Sequence, residues 1–246
     1  MLISNDEMDT ELGLIHGEAD YNLLTLRDFH VFTGHCYGEY YKQVTGGYIK
    51  GVVHNGRTGT NLDTKCVADY AMEYLDDELP RVVLYQTVSH FEAFIFDLLR
   101  LLFLNNPFAM KSEQTLTANE ILEKRNWENL TRGLIENKLH GLQYKNVRDW
   151  FTVLDGILKS PPVSKQDIER LAELKASRDL VAHNQGRVNE TYIRKAGALA
   201  RAKIGELIPI TRPYVYEAGD FLSDLIKRIM AEVRKMFPQH NAVPTE

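Results

Sequence analysis

The sequence predicts an all-α protein. It reads as a helical bundle over residues 61–238, preceded by a less regular N-terminal extension of helix and loop, 1–60, and followed by a flexible tail, 239–246. Three observations predict this. Apolar residues recur at spacings of three and four through most of the chain. Capping residues stand where those periodic stretches begin. Glycines and prolines crowd the segments between them.

Leu26, Phe29, Thr33, Cys36/Tyr37, Tyr40 and Val44 give the first helix one apolar face. Gly46, Gly47, Gly51, Gly56 and Gly59 then mark a loop, or a small hairpin turning at Asn55-Gly56. Asp63 caps a helix that buries Cys66/Val67, Tyr70/Ala71 and Tyr74/Leu75. Pro80 suits the first turn of the next helix, where its missing N–H is not needed. Arg81–Leu104 is apolar nearly all round, which predicts a central helix, and Asn105-Asn106-Pro107 ends it.

Thr117-Ala118-Asn119-Glu120 is a capping box and opens another helix. Asn126–His140 is helical and closes at Gly141, and Lys145–Leu158 stops before Pro161-Pro162. Ser164, with Asp167 three residues on, starts a helix to about Ala182, with Gly186 as a left-handed stop. Asn189 caps a further helix to about Lys203. Glu206–Ile210 is extended, and Glu217–Phe237 is a last amphipathic helix.

The 246 residues are 44% hydrophobic and 26% charged, as in an ordinary globular protein with a real core. A net charge of −5 means that any phosphate site must be a local basic spot, or one completed by a second chain. The segment Met1–Glu11 is acidic and lacks the basic-then-apolar layout of a secretion signal, so a cytoplasmic location is expected. Cys36 and Cys66 are then expected to be reduced, buried thiols. Phe91–Leu104 carries Glu92, Asp97 and Arg100, and is too short and too charged to span a bilayer.

The stretch Arg178-Asp179-Leu180-Val181-Ala182-His183-Asn184 carries the chemistry. Arginine can neutralise a phosphate, and histidine can move a proton near neutral pH. On one helix Arg178 and His183 lie roughly 140° apart around the axis. Asp179 and His183, four apart, share a face, where the carboxylate would orient the ring and favour imidazolium. The negative helix end works in the same direction. His183 then suits general acid and base work on an RNA linkage, with Arg178 pairing with the phosphate. Spacing alone favours a plainer account, with solvated surface pairs and a capping histidine.

The neighbouring residues add to this. Arg178-Asp179-x3-His183 resembles the Arg-polar-x3-His signature of HEPN domains (higher eukaryote and prokaryote nucleotide-binding). The run from His183 to Tyr192 resembles the His-Asn-x-Gly-x-Val-Asn-x-x-Tyr pattern of the RiboL-PSP-HEPN branch. Val88-Ser89-His90-Phe91-Glu92-Ala93-Phe94 is similar to that branch's first core helix. The likeness covers roughly residues 68–237. It implies an all-α domain that dimerises, with two Arg…His motifs facing each other across one composite cleft. It also implies metal-independent endoribonuclease activity leaving a 2′,3′-cyclic phosphate, with no cofactor, in toxins or antiviral defence effectors. Other members only bind RNA, a nucleotide or a protein partner, and an antitoxin or other regulator is a further implied partner.

Carried onto this chain, Arg178 and His183 are catalytic and Asp179 is the polar accessory. Glu92 supports them from the neighbouring helix. Lys175, Arg187 and Asn184 contact substrate, and two copies of the basic residues would make a positive cleft. Asp179 departs from the commoner Asn, and an extra anion beside a phosphate opposes binding. Tyr192 reads as core.

Other constellations carry less. Gly51 to Thr58 has a P-loop outline, but Arg57 replaces the lysine and no strand–helix context follows. His30, His35 and Cys36 fit no common zinc spacing. Ser89 and His90 are adjacent on a helix and do not face each other. The aromatics Phe29, Phe32, Tyr37, Tyr40, Tyr41 and Tyr48 could stack bases, but read better as core or dimer contact.

Overall fold

The computed structural model describes residues 4–49, 53–55, 60–111, 126–158 and 160–237, with the single positions 117, 119 and 121. Helix α1, Asn5–Thr45, starts at a capping box. The Ser4 hydroxyl accepts from the Glu7 N–H, and the Glu7 carboxylate accepts from the Ser4 N–H. Asp6 and Glu7 lie in its first turn, where the positive helix end favours carboxylates. The N-terminal segment is therefore helix followed by a glycine-rich hairpin, as expected, but the helix begins at Asn5, well before the periodic face that starts at Leu26. Met8 and Leu12 are fully buried and join the main core.

The buried face of α1 runs through Met8, Leu12, Ala19, Leu23, His30 and Val44. Phe29 and Cys36, expected inside, are exposed. Leu26, Thr33, Tyr40 and Val44 of the expected face are buried or half-buried, but at its second position His30 replaces Phe29, its ring pointing inward and stacking on Tyr216 with centroids 4.8 Å apart. Cys66 is also exposed, so both cysteines are free but neither is the buried thiol expected.

Val53–Asn55 (β1) pairs antiparallel with Thr60–Leu62 (β2), so the glycine-rich segment does hold a small hairpin. Its turn, 56–59, lies outside the described residues, and the P-loop outline falls largely there too. Asp63 then caps α2, Thr64–Glu73, by accepting from the Cys66 N–H at 2.8 Å. Helix α2 does not stop before Pro80. It passes through a π-helical turn, Tyr74–Glu78, into α3, Leu79–Asn105. Proline supplies no N–H and its ring crowds the preceding turn, which accounts for the local widening. In that turn the Leu79 N–H bonds to the Tyr74 carbonyl, and Arg212 Nε takes the Leu75 carbonyl at 3.3 Å.

Helix α3 is the hub, packed against α1 on one side and other helices around it. Fifteen of its residues are buried, as its nearly all-round apolar sequence predicts. A 3-10 turn, Pro107–Met110, follows. The capping box at 117–120 falls largely outside the described residues.

Asn126 caps α4, Trp127–Gln143, which runs past Gly141. Helices α5, Val147–Ile157, and α6, Lys165–Asn184, follow, each opened by a capping box. Helix α7, Glu190–Ala196, starts at the Asn189 cap but ends before Lys203, because Gly197 takes φ +56°. Helix α8, Arg212–Met236, starts five residues before Glu217, with Thr211 as cap and Pro213 in its first turn. Helices α3 and α8 contact each other, α6 lies on α3, and α7 lies on α6. The fold of the described residues is all-α apart from the hairpin, and none of their helices is long and apolar enough to cross a membrane.

His30 is 1% exposed, and neither ring nitrogen has a partner among the described residues. Burial, reinforced by the charge of Arg212, holds its pKa below the usual histidine range. The unfolded chain therefore binds this proton more readily than the folded one. Stability is complete above the unfolded value of about 6.5 and falls as the pH drops through the lower folded value. Urea midpoints measured between pH 7 and pH 5 should fall, and His30→Phe should flatten that fall. An equal slope in the variant would assign the acid sensitivity elsewhere.

Candidate active site

A buried polar network forms the floor of the region. Glu173 on α6 is buried, yet it accepts from four donors. These are Ser177 Oγ at 2.6 Å, Tyr192 OH at 3.2 Å, Tyr214 OH at 2.8 Å and Arg201 Nε at 2.9 Å. The Arg201 guanidinium also lies 3.5 Å from the Tyr214 ring centre and donates to the Pro209 carbonyl. Burial raises the pKa of both tyrosines, and the Glu173 carboxylate adds to it. Both rings remain neutral donors. Helix α6, helix α7, the loop at 200–210 and α8 are tied to one carboxylate. Tyr192 is core, as its helical position suggests.

Above this floor, α6 presents Lys175, Arg178 and Asp179 toward Glu92 of α3. Arg178 Nη2 donates to Glu92 Oε2, and Arg178 Nη1 lies 3.3 Å from Asp179 Oδ1. Lys175 Nζ donates to Glu92 Oε1 at 2.7 Å and lies 3.8 Å from Asp179. Lys195 on α7 closes the group at 3.2 Å from Asp179 Oδ2. Three cations face two carboxylates, leaving one surplus positive charge. The Arg178 side chain is only 11% exposed, lies over the Tyr85 ring, and keeps a buried Nε with no partner among the described residues. Glu92 is thus where a supporting carboxylate was expected, bonded directly to Arg178.

The last turn of α6 is arranged differently. Gln185 and Gly186 both take positive φ, and the Gly186 N–H returns to the Leu180 carbonyl at 2.9 Å, so the helix turns left-handed at Gln185, one residue before the glycine the sequence marks. Residues 186–188 then lie against 205–208 through short backbone bonds. Asn184 turns its amide onto the Arg187 carbonyl, and Arg187 Nη1 reaches the Gly205 carbonyl at 3.3 Å. Both expected substrate contacts thus serve the loop in this chain, although Arg187 stays exposed.

His183 is exposed, and its ring makes no hydrogen bond or ion pair among the described residues. The expected Asp179–His183 pair does not form. Lys195, brought in by α7, and Arg178 take the carboxylate instead. One chain therefore assembles Lys175, Arg178, Asp179 and Glu92, and leaves His183, Asn184 and Arg187 on the flank beyond them.

Lys195, Glu173 and Arg201 belong to the region, but sequence reasoning did not single them out. Glu173 sits inside a polar helical stretch, and Lys195 lies sixteen residues from its partner, so no local pattern marks either. Comparison with models of protein families, with curated proteins and with solved structures finds no match to this chain.

Proposed function

We propose that this protein is a metal-independent endoribonuclease of HEPN type, acting as a homodimer in toxin or antiviral defence. The observation that carries the reading is an exposed, unengaged His183 in the last turn of the helix that holds Arg178 beside a surplus of positive charge. In the reaction the ribose 2′-hydroxyl attacks the adjacent phosphorus and the P–O5′ bond breaks. A neutral His183 takes the 2′ proton, and a protonated His183 of the second copy gives a proton to the departing 5′ oxygen. The products are a 2′,3′-cyclic phosphate and a 5′-hydroxyl. Arg178 exchanges a carboxylate partner for the phosphate as charge builds on its oxygens.

The test is cleavage of RNA in EDTA with analysis of the ends. Cyclic-phosphate ends, lost in His183→Ala and in Arg178→Ala, support the reading. Cleavage that survives either substitution rejects it.

A second reading is a module that binds RNA without turnover. It is favoured by the hold of Glu92 and Asp179 on Arg178. Asp179→Asn separates the two. It removes one anion from Arg178 and restores the commoner signature residue, so a nuclease should cleave severalfold faster. A pure binding module should bind RNA more tightly and still release no product.

A further inference from the structure

Helices α5, α6 and α7 enclose an open groove of about 490 Å³ that the Arg178 motif does not include. Five cations line it: Lys145 just before α5, Arg148 in its first turn, Lys175 on α6, and Arg194 and Lys195 on α7. Its one lining carboxylate, Glu169, lies 3.7 Å from Lys165. Lys175 and Lys195 pair with the carboxylates of the Arg178 cluster. The other three cations have no side-chain hydrogen bond or ion pair among the described residues, and all three are exposed. On a chain of net charge −5, three unpaired cations along one concave strip are a local reversal of sign.

We propose that this groove seats the phosphate backbone of a single RNA strand and leads it to Arg178. The inference rests on RNA being the substrate. Cations spread along an open trough match charges that repeat with every nucleotide, whereas one isolated phosphate would call for donors converging on a point. Continuity supports this path. Lys175 and Lys195 line the groove and also contact Glu92 and Asp179, so a strand lying in it reaches the Arg178 cluster.

The experiment measures anisotropy of a fluorescein-labelled single-stranded RNA 20-mer with the full chain. His183→Ala serves as background so that the RNA stays intact, and salt is varied from about 50 to 200 mM. Adding Lys145→Ala, Arg148→Ala and Arg194→Ala should raise Kd about tenfold or more. It should also lower the slope of log Kd against log salt by about 2, the value for three lost phosphate contacts on a single strand. None of the three side chains is buried or bonded, so the melting temperature should not move. An unchanged Kd and slope in the triple variant overturns the proposal, and so does absence of RNA binding by the parent chain. The nuclease reading fails separately, when cleavage survives His183→Ala while the groove variants still weaken binding.

Discussion

Glu173→Ala should cost about 3 kcal/mol of folding stability, the low end of the range for breaking a buried ion pair. The low end applies because the Arg201 partner retains some contact with water, its side chain being 23% exposed. The loss has two parts. Arg201 is left over the Tyr214 ring without its carboxylate, and the hydroxyls of Tyr192 and Tyr214 lose their acceptor in a buried setting. Glu173→Gln keeps one acceptor oxygen and the volume, and should cost roughly half as much. Urea unfolding followed by circular dichroism measures both, with the m-value unchanged if only stability moves. A loss under about 1 kcal/mol would mean that water replaces the carboxylate and that the floor is not fixed by it. The same variants should leave α3 packing intact, because among the described residues Glu173 bonds only to those of α6, α7, α8 and the loop before α8.

The helices were legible where a local signal set them. Ser164 with Asp167, Asn189 and Asp63 each cap as their side chains dictate, and α6 stops beside Gly186 as expected, with Gln185 taking the left-handed turn one residue earlier. The apolar run after Pro80 becomes the hub for the same reason it reads as apolar all round. Errors arise where distant chain decides. The face of α1 is set by His30 meeting Tyr216, a contact across 186 residues of sequence, and a large exposed Phe29 misleads a periodicity count.

The site shows the same division. Glu92 was placed by resemblance, and the structure puts it on Arg178. Spacing of four predicts that Asp179 holds His183, but that rule covers one helix only. Lys195 arrives from the next helix and takes the carboxylate. The unpaired cations of the groove are invisible in sequence for a related reason. The acidic total hides them, and two helices distant in sequence, α5 and α7, bring them together.

His183→Ala should lower RNA cleavage by about 10²–10⁴, the range for losing a positioned proton donor or acceptor. Its stability should not change, since the ring is exposed and unbonded, so the loss cannot be assigned to unfolding. Arg178→Ala should lower cleavage by a similar factor through loss of charge stabilisation at the phosphate. Here stability must be measured alongside, because Arg178 neutralises Glu92 and Asp179 in a largely buried position.

Arg178→Lys distinguishes the two duties of this residue. It keeps a cation near Glu92 and therefore the fold, but it loses the planar fork that binds two phosphate oxygens together. Full stability with cleavage still down at least tenfold would assign Arg178 to the phosphate. Full stability with full activity would leave it only the task of holding α6 against α3. The double variant His183→Ala/Arg178→Ala should be little worse than either single one, because groups acting on one transition state do not add. A strictly multiplicative loss would mean that the two side chains serve separate steps.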